Sequence, residues 1–263
     1  GGPVLILLPP SEGKTAPSSG RAVDLHGLVH AELAPARRKV LDALAAASAQ
    51  VDALEVLGVG ASLADEVARN TVLTTAPAAP GARVYTGVLY AAADLAAVID
   101  GDDDVARARL DDVLTFSALW GLVRPTDHVP AYRLSMSVDL PGIGPLARFW
   151  RPELTVLDAR AEGDVVVDCR SSSYAAAWRV PAGAEHVQVK VLRELAGKRT
   201  VVSHHAKHAR GLLTGHLLRR PAEPPRTAAE LIAAAGEMVG AQLHDVSLVP
   251  GTKRSTLELV VTD

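Results

Sequence analysis

The chain has 263 residues, 48% of them hydrophobic, and a formal net charge of −3, so it can bury a large core and is not expected to coat nucleic acid by charge alone. Aromatic residues make up only 3%, which disfavours a base-stacking surface, and no uncharged apolar run reaches the roughly 18 residues that a membrane span needs. The single cysteine, Cys169, excludes an internal disulfide and fits a reducing cytoplasm, which is the expected compartment.

The first element is a predicted buried strand, VLILL at residues 4–8, followed at once by SEGKT at 11–15. The Gly-Lys-Thr end is similar to the close of a phosphate-binding P-loop, but that motif needs a glycine where this chain has Leu8, and a helix directly afterwards. We therefore expect no nucleotide motif here. Ser11, Glu12 and Lys14 at a strand end could face a pocket, or belong to a polar turn.

Residues 32–49 have the apolar spacing of an amphipathic helix. Residues 53–70 predict two short helices joined by Leu57, Gly58, Val59 and Gly60, the second capped by Ser62. This pattern is typical of a helix-hairpin-helix, whose turn amides can hold a DNA phosphate, and Arg69 is the nearest cation. An ordinary helical corner could use the same glycines.

The middle of the chain alternates predicted strands and helices. Residues 83–90 alternate as a strand would, residues 91–99 are helix-like, and residues 113–119 are expected to form a strand. The acidic run at 101–104 is interpreted as a solvated helix start and not as a metal site. A further helix is predicted over 146–157.

Residues 119–136, LWGLVRPTDHVPAYRLSM, combine two arginines with two prolines in a half-apolar stretch that should be extended or turned. A guanidinium is a planar fork suited to carboxylates and phosphates. Arg124, Asp127, Tyr132 and Arg133 therefore either brace a long loop internally or form part of an anion site.

The last third begins with a predicted buried strand and turn at 165–174, with Ser171 and Tyr174 beyond the strand end and Cys169 expected to be buried and inert. Strands at 186–192 and 199–205 precede a helix at 205–220, whose first turns carry Lys207 and Arg210. A helix at 227–239 and strands near 241–249 and 255–261 close the chain. His204 and His208 have the spacing of a helical metal pair without its companion ligands, so no metal and no cofactor are expected.

Together these elements predict a single compact α/β domain, spanning the whole chain, with a mixed β-sheet flanked by helices. A helix-hairpin-helix insertion is expected at about residues 30–70.

Several stretches resemble, in the same order, the YaaA family of peroxide stress proteins. They are VLILLPPSEGKT at 4–15, VYTGVLY at 84–90, WGLVRPTDHVPAYRLSM at 120–136, FWRPELTVLD at 149–158, VVVDCRSSSY at 165–174 and VVSHHAKHARGLL at 201–213. The resemblance implies a cytoplasmic protein of the oxidative-stress response that limits damage from free iron and peroxide, with a helix-hairpin-helix and double-stranded DNA as partner.

The family pattern also singles out individual positions. Those that match are Ser11, Lys14, Arg124, Pro125, Asp127, Tyr132, Arg133, Ser171, Tyr174, Lys207, Arg210 and Gly211. Those that depart are Asp168, Cys169, Arg170, Ser173, His204, His205 and His208, and the hairpin lacks a lysine. The departures at Asp168, Cys169, Arg170 and Ser173 could alter what a pocket accepts, and the missing lysine could weaken DNA binding.

Most of the matching polar residues fall at strand ends, which predicts one shared cationic pocket opposed by Asp127 alone. Its expected ligand is anionic: a DNA phosphate or strand end, a nucleotide or a small carboxylate. In one interpretation the protein binds double-stranded or damaged DNA. In the alternative it is an enzyme on a small anionic substrate, with Lys14 or Lys207 as electrophile or base and Tyr174 or Ser171 as proton relay. In a third, the arginines only form internal salt bridges.

Overall fold

The sheet is built around Val4–Leu8 (β1), whose five side chains are all buried because strands lie on both sides of it and layers cover both faces. A computed structural model describes residues 2–262, with only the backbone at His204. The other strands are Ala79–Pro80 (β2), Val113–Ser117 (β3), Gly121–Val123 (β4), His128–Val129 (β5), Asp139–Leu140 (β6), Gly144–Pro145 (β7), Val165–Asp168 (β8), Glu185–Leu195 (β9), Lys198–Val201 (β10), Asp245–Val249 (β11) and Ser255–Val261 (β12).

The main sheet has the order β11-β12-β9-β8-β1-β3-β4, with β10 paired to β9 beyond the end of β8. Strands β12, β9, β8, β1 and β3 are mutually parallel, whereas β4, β10 and β11 run antiparallel to their neighbours. This confirms the predicted α/β domain with a mixed sheet. β2 with β5 and β6 with β7 form two small separate ladders.

The helices flank this sheet and lie mostly where the apolar spacing predicted them. They are Ala34–Ser48 (α1), Ala53–Leu57 (α2), Ala64–Arg69 (α3), Gly81–Val84 (α4), Val88–Ala93 (α5), Leu95–Asp100 (α6), Asp104–Arg109 (α7), Leu146–Glu153 (α8), Asp158–Ala161 (α9), Ser172–Ala175 (α10), His204–Arg219 (α11) and Ala228–Gly236 (α12). No helix within residues 2–262 has both the length and the apolar character needed to span a bilayer.

One local prediction in the middle of the chain is wrong. Residues 83–90 form parts of α4 and α5 instead of a strand, because the amides of Gly81 and Ala82 are bound by carbonyls of the 125–127 loop and start a helix there. The helical prediction for residues 91–99 is confirmed, with one interruption: Asp94 between α5 and α6 has a φ of 51° and divides the segment into two helices.

The prediction of an extended or turned 119–136 stretch is confirmed, and Arg37 of α1 holds it in place. The guanidinium of Arg37 is fully buried and donates to the carbonyls of Trp120 at 2.8 Å and Leu122 at 3.1 Å, as well as to carbonyls of the 25–30 segment. This one side chain joins α1 to the middle of β4 and to the residue that precedes the strand.

Strand order then places the predicted site residues. β3 lies on one side of β1 and β8 on the other, so the chain reverses direction around the carboxyl end of β1. In open parallel sheets, ligands bind outside the strand ends at such a point. The segments that follow β1, β3 and β8 meet there.

Candidate functional site

The turn between α2 and α3, residues 57–60 (the glycine turn), has two differently shaped glycines. Gly58 ends α2 in the left-handed conformation, with φ 69°, and its amide binds the carbonyl of Glu55 at 3.1 Å. Gly60 is extended, with φ −81° and ψ 168°, and leads into a 3₁₀ turn over Ala61–Leu63. The prediction that Ser62 caps α3 is wrong. Ser62 lies inside that turn, and no side chain within residues 2–262 caps the helix.

Three successive backbone amides, beginning at the last residue of the glycine turn, have no hydrogen-bond partner within residues 2–262. Gly60, Ala61 and Ser62 are exposed, and their N–H groups donate no hydrogen bond to any group within residues 2–262. Amides at the start of a helical turn carry partial positive charge and suit an anionic oxygen.

The charges around the glycine turn are mainly negative. Arg69, at the end of α3, is exposed, whereas Asp52, Glu55 and Asp65 are exposed carboxylates on the two short helices. This surface therefore offers a DNA duplex backbone amide donors but no net positive charge.

A cleft of about 550 Å³ opens beside the glycine turn (the hairpin cleft). Arg133 lies within it, together with Glu12 from the loop after β1. Its lining residues are Glu12, Val56, Leu57, Gly58, Val59, Gly60, Leu63, Arg133, Leu134, Ser135, Ser137, Val138 and Asp139. The predicted hairpin and part of the predicted anion pocket are thus two walls of one cleft.

Arg133 is nearly buried and is held by two carboxylates. Its guanidinium lies 3.1 Å from Glu66 of α3 and 3.6 Å from Glu12. Asn70 fixes the backbone of Arg133 by accepting from its amide and donating to its carbonyl, at 3.0 and 2.9 Å. The Nε of Arg133 is buried and has no hydrogen-bond partner among the described residues, which costs free energy unless an acceptor is supplied.

Lys14 lies close to Arg133 and its two carboxylate partners. Its Nζ donates to the carbonyl of Ser11 at 2.8 Å and stands 4.4 Å from the ring centroid of Tyr132. The pKa of Lys14 is lowered to about 8, chiefly by burial; Glu12 opposes this shift and the neighbouring Arg133 adds to it. Lys14 is therefore an amine that is close to its titration range at neutral pH.

Tyrosine hydroxyls line the inner side of this cluster. The hydroxyl of Tyr132 is hydrogen-bonded to those of Tyr85 at 2.8 Å and Ser117 at 2.6 Å, and the hydroxyl of Tyr174 accepts from the Met136 amide at 3.4 Å. Burial raises the pKa of Tyr132 and of Tyr174 well above the ordinary value. Tyr174 thus remains a proton donor and is unsuited to act as a base.

Arg124 and Asp127 are occupied with each other. The Nε of Arg124 donates to Oδ1 of Asp127 at 2.9 Å, while Oδ2 of that buried carboxylate accepts from the amides of Arg124 and Val29. This is the brace considered as one alternative for the 119–136 stretch.

Three predicted pocket residues lie apart from Lys14 and Arg133: within residues 2–262, neither of these cations is hydrogen-bonded or ion-paired to Arg210, Ser171 or Lys207. Arg210 donates through Nε and Nη2 to the carbonyl of Val189 in β9, and Ser171 has its hydroxyl 3.5 Å from that of Ser173. Lys207 is exposed on the first turns of α11.

Cys169 is buried, as predicted. It is fully buried, and burial raises the pKa of its thiol to about 12, although Arg210 acts in the opposite direction.

The prediction that Asp127 is the only carboxylate opposing the cations of the site is wrong for Lys14 and Arg133. Lys14 and Arg133 are matched by two carboxylates, Glu12 and Glu66. Sequence analysis missed Glu66 because it lies 67 residues before Arg133. Tyr85 was missed as a site residue although it stands in the VYTGVLY motif.

Metal-ligand clustering does not occur within residues 2–262, where no group of three or more His, Cys, Asp or Glu side chains could hold an ion. The predicted spacing of His204 and His208 involves a side chain, that of His204, outside the described residues.

The sequence of this chain is similar to those of one protein family along most of its length. The family model described as "Peroxide stress protein YaaA" matches residues 4–236. A UPF0246 protein of Streptomyces coelicolor is 40% identical over 262 residues, covering 98% of each chain. A UPF0246 protein of Corynebacterium efficiens is 38% identical over 266 residues, covering 98% of this chain and all of the relative. The matched range includes the glycine turn, the 119–136 stretch and the start of α11, so the chain belongs to the peroxide stress protein YaaA family.

Proposed function

We propose that this family member binds the backbone of double-stranded DNA, with damaged duplex as the preferred form, and thereby limits peroxide and iron damage. The proposed compartment is the cytoplasm, which is where such DNA lies in a bacterial cell and where the buried thiol of Cys169 would stay reduced. The observation that carries this proposal is the run of three exposed amides at Gly60, Ala61 and Ser62 with no internal acceptor.

The amides provide a binding mode that is independent of sequence. Backbone N–H groups contact phosphate oxygens, which position a protein on the duplex without reading bases. A hydrogen bond to a charged group contributes about 1.5–3 kcal/mol, so two or three such bonds give measurable affinity without a basic patch.

The hairpin cleft supports the preference for damaged duplex. It adjoins the glycine turn and, at about 550 Å³, lies in the usual size range of pockets for small ligands. A phosphate held by the amides would place the next nucleotide of a nicked or frayed strand at the mouth of the cleft. There Arg133 lines the cleft as a guanidinium shared with Glu12 and Glu66.

The acidic surroundings predict a shallow salt dependence. With about one to three phosphates neutralised, the logarithm of the affinity should fall with the logarithm of salt at a slope of about −1 to −3. A basic DNA-coating protein has a much steeper slope.

The sharpest test is Ala61→Pro. Gly60 is extended, as a residue before proline should be, and Ala61 begins a 3₁₀ turn, where proline is tolerated. The substitution deletes one free amide and breaks no internal hydrogen bond within residues 2–262. We expect affinity for intact and nicked duplex, measured by fluorescence anisotropy at two salt concentrations, to fall about 10-fold or more, as for the loss of one charged hydrogen bond.

The matched control is Ala61→Ser, which keeps the amide and should bind as the parent does. Equal binding by the proline variant and the parent, with an unchanged melting temperature, would refute a role for these amides. Negligible binding by the parent would refute the DNA proposal as a whole.

A second function is favoured by one observation, the lowered pKa of Lys14. An amine with a pKa of about 8 beside tyrosine hydroxyls suits a base or nucleophile for a small anionic substrate. Lys14→Met should then abolish turnover of that substrate while leaving duplex affinity within about twofold. Loss of duplex binding alone would leave DNA as the ligand.

A further inference from the structure

A second cavity of about 820 Å³ shares no lining residue with the hairpin cleft. We call it the basic cavity. It is bounded by the end of β8, by α10 and the segment after it, by the first half of β9 and by the turn between β11 and β12. Its lining residues are Arg151, Asp168, Arg170, Ser172, Ala175, Ala176, Trp178, Arg179, Val180, Pro181, Ala182, His186, Gln188, Thr252, Lys253 and Arg254.

The charge of this lining contrasts with that of the whole chain. Five lining side chains are arginine or lysine and one is a carboxylate, in a protein whose formal net charge is −3. A concave surface lined by one sign of charge concentrates field lines and raises the local concentration of oppositely charged ligands.

The floor of the cavity is a closed internal network. Arg170 donates through Nε and Nη2 to the two carboxylate oxygens of Asp168, both at 2.9 Å, and His186 lies 2.8 Å from Oδ2 of the same group. Burial opposes ionisation of Asp168, but the hydrogen bonds from Arg170 and His186 outweigh it and hold the pKa well below the ordinary value. The one negative charge in the lining is thus already matched.

The wall is fixed in a similar way. Arg151 donates through Nε and Nη2 to the carbonyl of Ala176, which ties α8 to the segment after α10. Arg170 also donates to the carbonyl of Trp178 and packs over the ring of Phe116 at 4.6 Å. The cavity therefore has a rigid base and one rigid side.

Three cationic side chains at the mouth of the basic cavity are available to bind a ligand. Arg179, Lys253 and Arg254 are exposed, and none of them pairs with a carboxylate in the described part of the chain. They come from two separate segments of the chain, both lining the cavity. Two guanidiniums and an ammonium in one concavity suit an anion with several charges better than a single carboxylate.

We propose that the basic cavity binds a small polyanion with two linked phosphate groups, such as inorganic pyrophosphate or the diphosphate part of a nucleotide. The volume accommodates a molecule of that size. Trp178 is buried beneath Arg170, whose guanidinium lies 5.6 Å from its ring, so recognition rests on phosphate charge and not on base stacking.

The test uses pyrophosphate as the probe and isothermal titration calorimetry as the assay. The variant is Arg179→Gln/Lys253→Gln/Arg254→Gln, three exposed positions whose change leaves the buried network intact. The matched control is Arg21→Gln/Lys39→Gln/Arg226→Gln, which removes the same charge at three exposed positions outside the cavity. We expect the variant to lose about 10-fold or more in affinity and the control to remain within about twofold of the parent.

Three outcomes overturn the proposal: no measurable binding of pyrophosphate by the parent, equal losses in variant and control, or loss of duplex affinity in the variant without any pyrophosphate binding. The last assigns the surface to DNA. Ala61→Pro separates this proposal from the preceding one, because it should leave pyrophosphate affinity unchanged.

Discussion

Gly58 and Gly60 form a matched pair for testing the geometry of the glycine turn. A Cβ added at either position meets no atom within 4 Å, so steric crowding does not distinguish them. The two positions differ in backbone conformation, since φ is 69° at Gly58 and −81° at Gly60. Alanine at each position isolates the cost of the left-handed conformation.

The expected magnitudes follow from that difference. A left-handed alanine costs about 1–2 kcal/mol, and the reduced freedom of the unfolded chain offsets about 0.4–1 kcal/mol of it. Gly58→Ala should therefore destabilise the protein by about 1 kcal/mol, whereas Gly60→Ala should be neutral or slightly stabilising. For a chain of this size, about 1 kcal/mol corresponds to a fall in melting temperature of about 2–4 °C.

Urea and thermal unfolding of the two single variants measure this directly. Gly58→Asn serves as a control, because asparagine tolerates the left-handed region better than alanine and should lose less stability. Equal destabilisation by the two alanine variants would refute the assigned backbone geometry, and with it the orientation of the amides at 60–62.

Two further predictions concern charged side chains inside the fold. The pKa of Lys14 is about 8 in the folded protein and 10.5 ordinarily, so between these pH values the unfolded chain binds more protons than the folded one. The free energy of unfolding should therefore rise with pH across that interval, and it should rise less in Lys14→Met. Urea titrations at several pH values measure both. Arg37→Met should cost about 3–5 kcal/mol, because it leaves carbonyls of the 25–30 and 120–122 segments unsatisfied; a loss below about 1 kcal/mol, comparable to that of exposed Arg38→Met, would contradict the bracing role.

The sheet could be predicted from sequence because its strands carry strong local signals. Val4–Leu8 and Val165–Asp168 are nearly continuous apolar runs, as strands buried on both faces must be. The alternating pattern also predicted the closing pair β11 and β12. Residues 83–90 were not, because a short alternating run fits a strand until the carbonyls of the 125–127 loop, from a distant segment, bind Gly81 and Ala82.

The candidate site was less accessible to prediction, because pairing between distant residues decides what each charge does. Arg124 and Asp127 are three residues apart, and their pairing was weighed from sequence as an alternative. The contact of Arg133 with Glu66 joins two distant segments, and it converts an expected excess of positive charge into a balanced cluster. The free amides at 60–62 depend on a 3₁₀ turn that the spacing had suggested to be a helix capped by Ser62.

The central claim is that backbone amides beside the glycine turn hold DNA phosphate. Nuclear magnetic resonance of the ¹⁵N-labelled protein, titrated with a short nicked duplex, observes these amides individually. The account predicts that the N–H signals of Gly60, Ala61 and Ser62 shift together and saturate at the dissociation constant found by anisotropy. If those three signals stay in place while signals elsewhere move, for example those of Lys253 and Arg254, the account is contradicted.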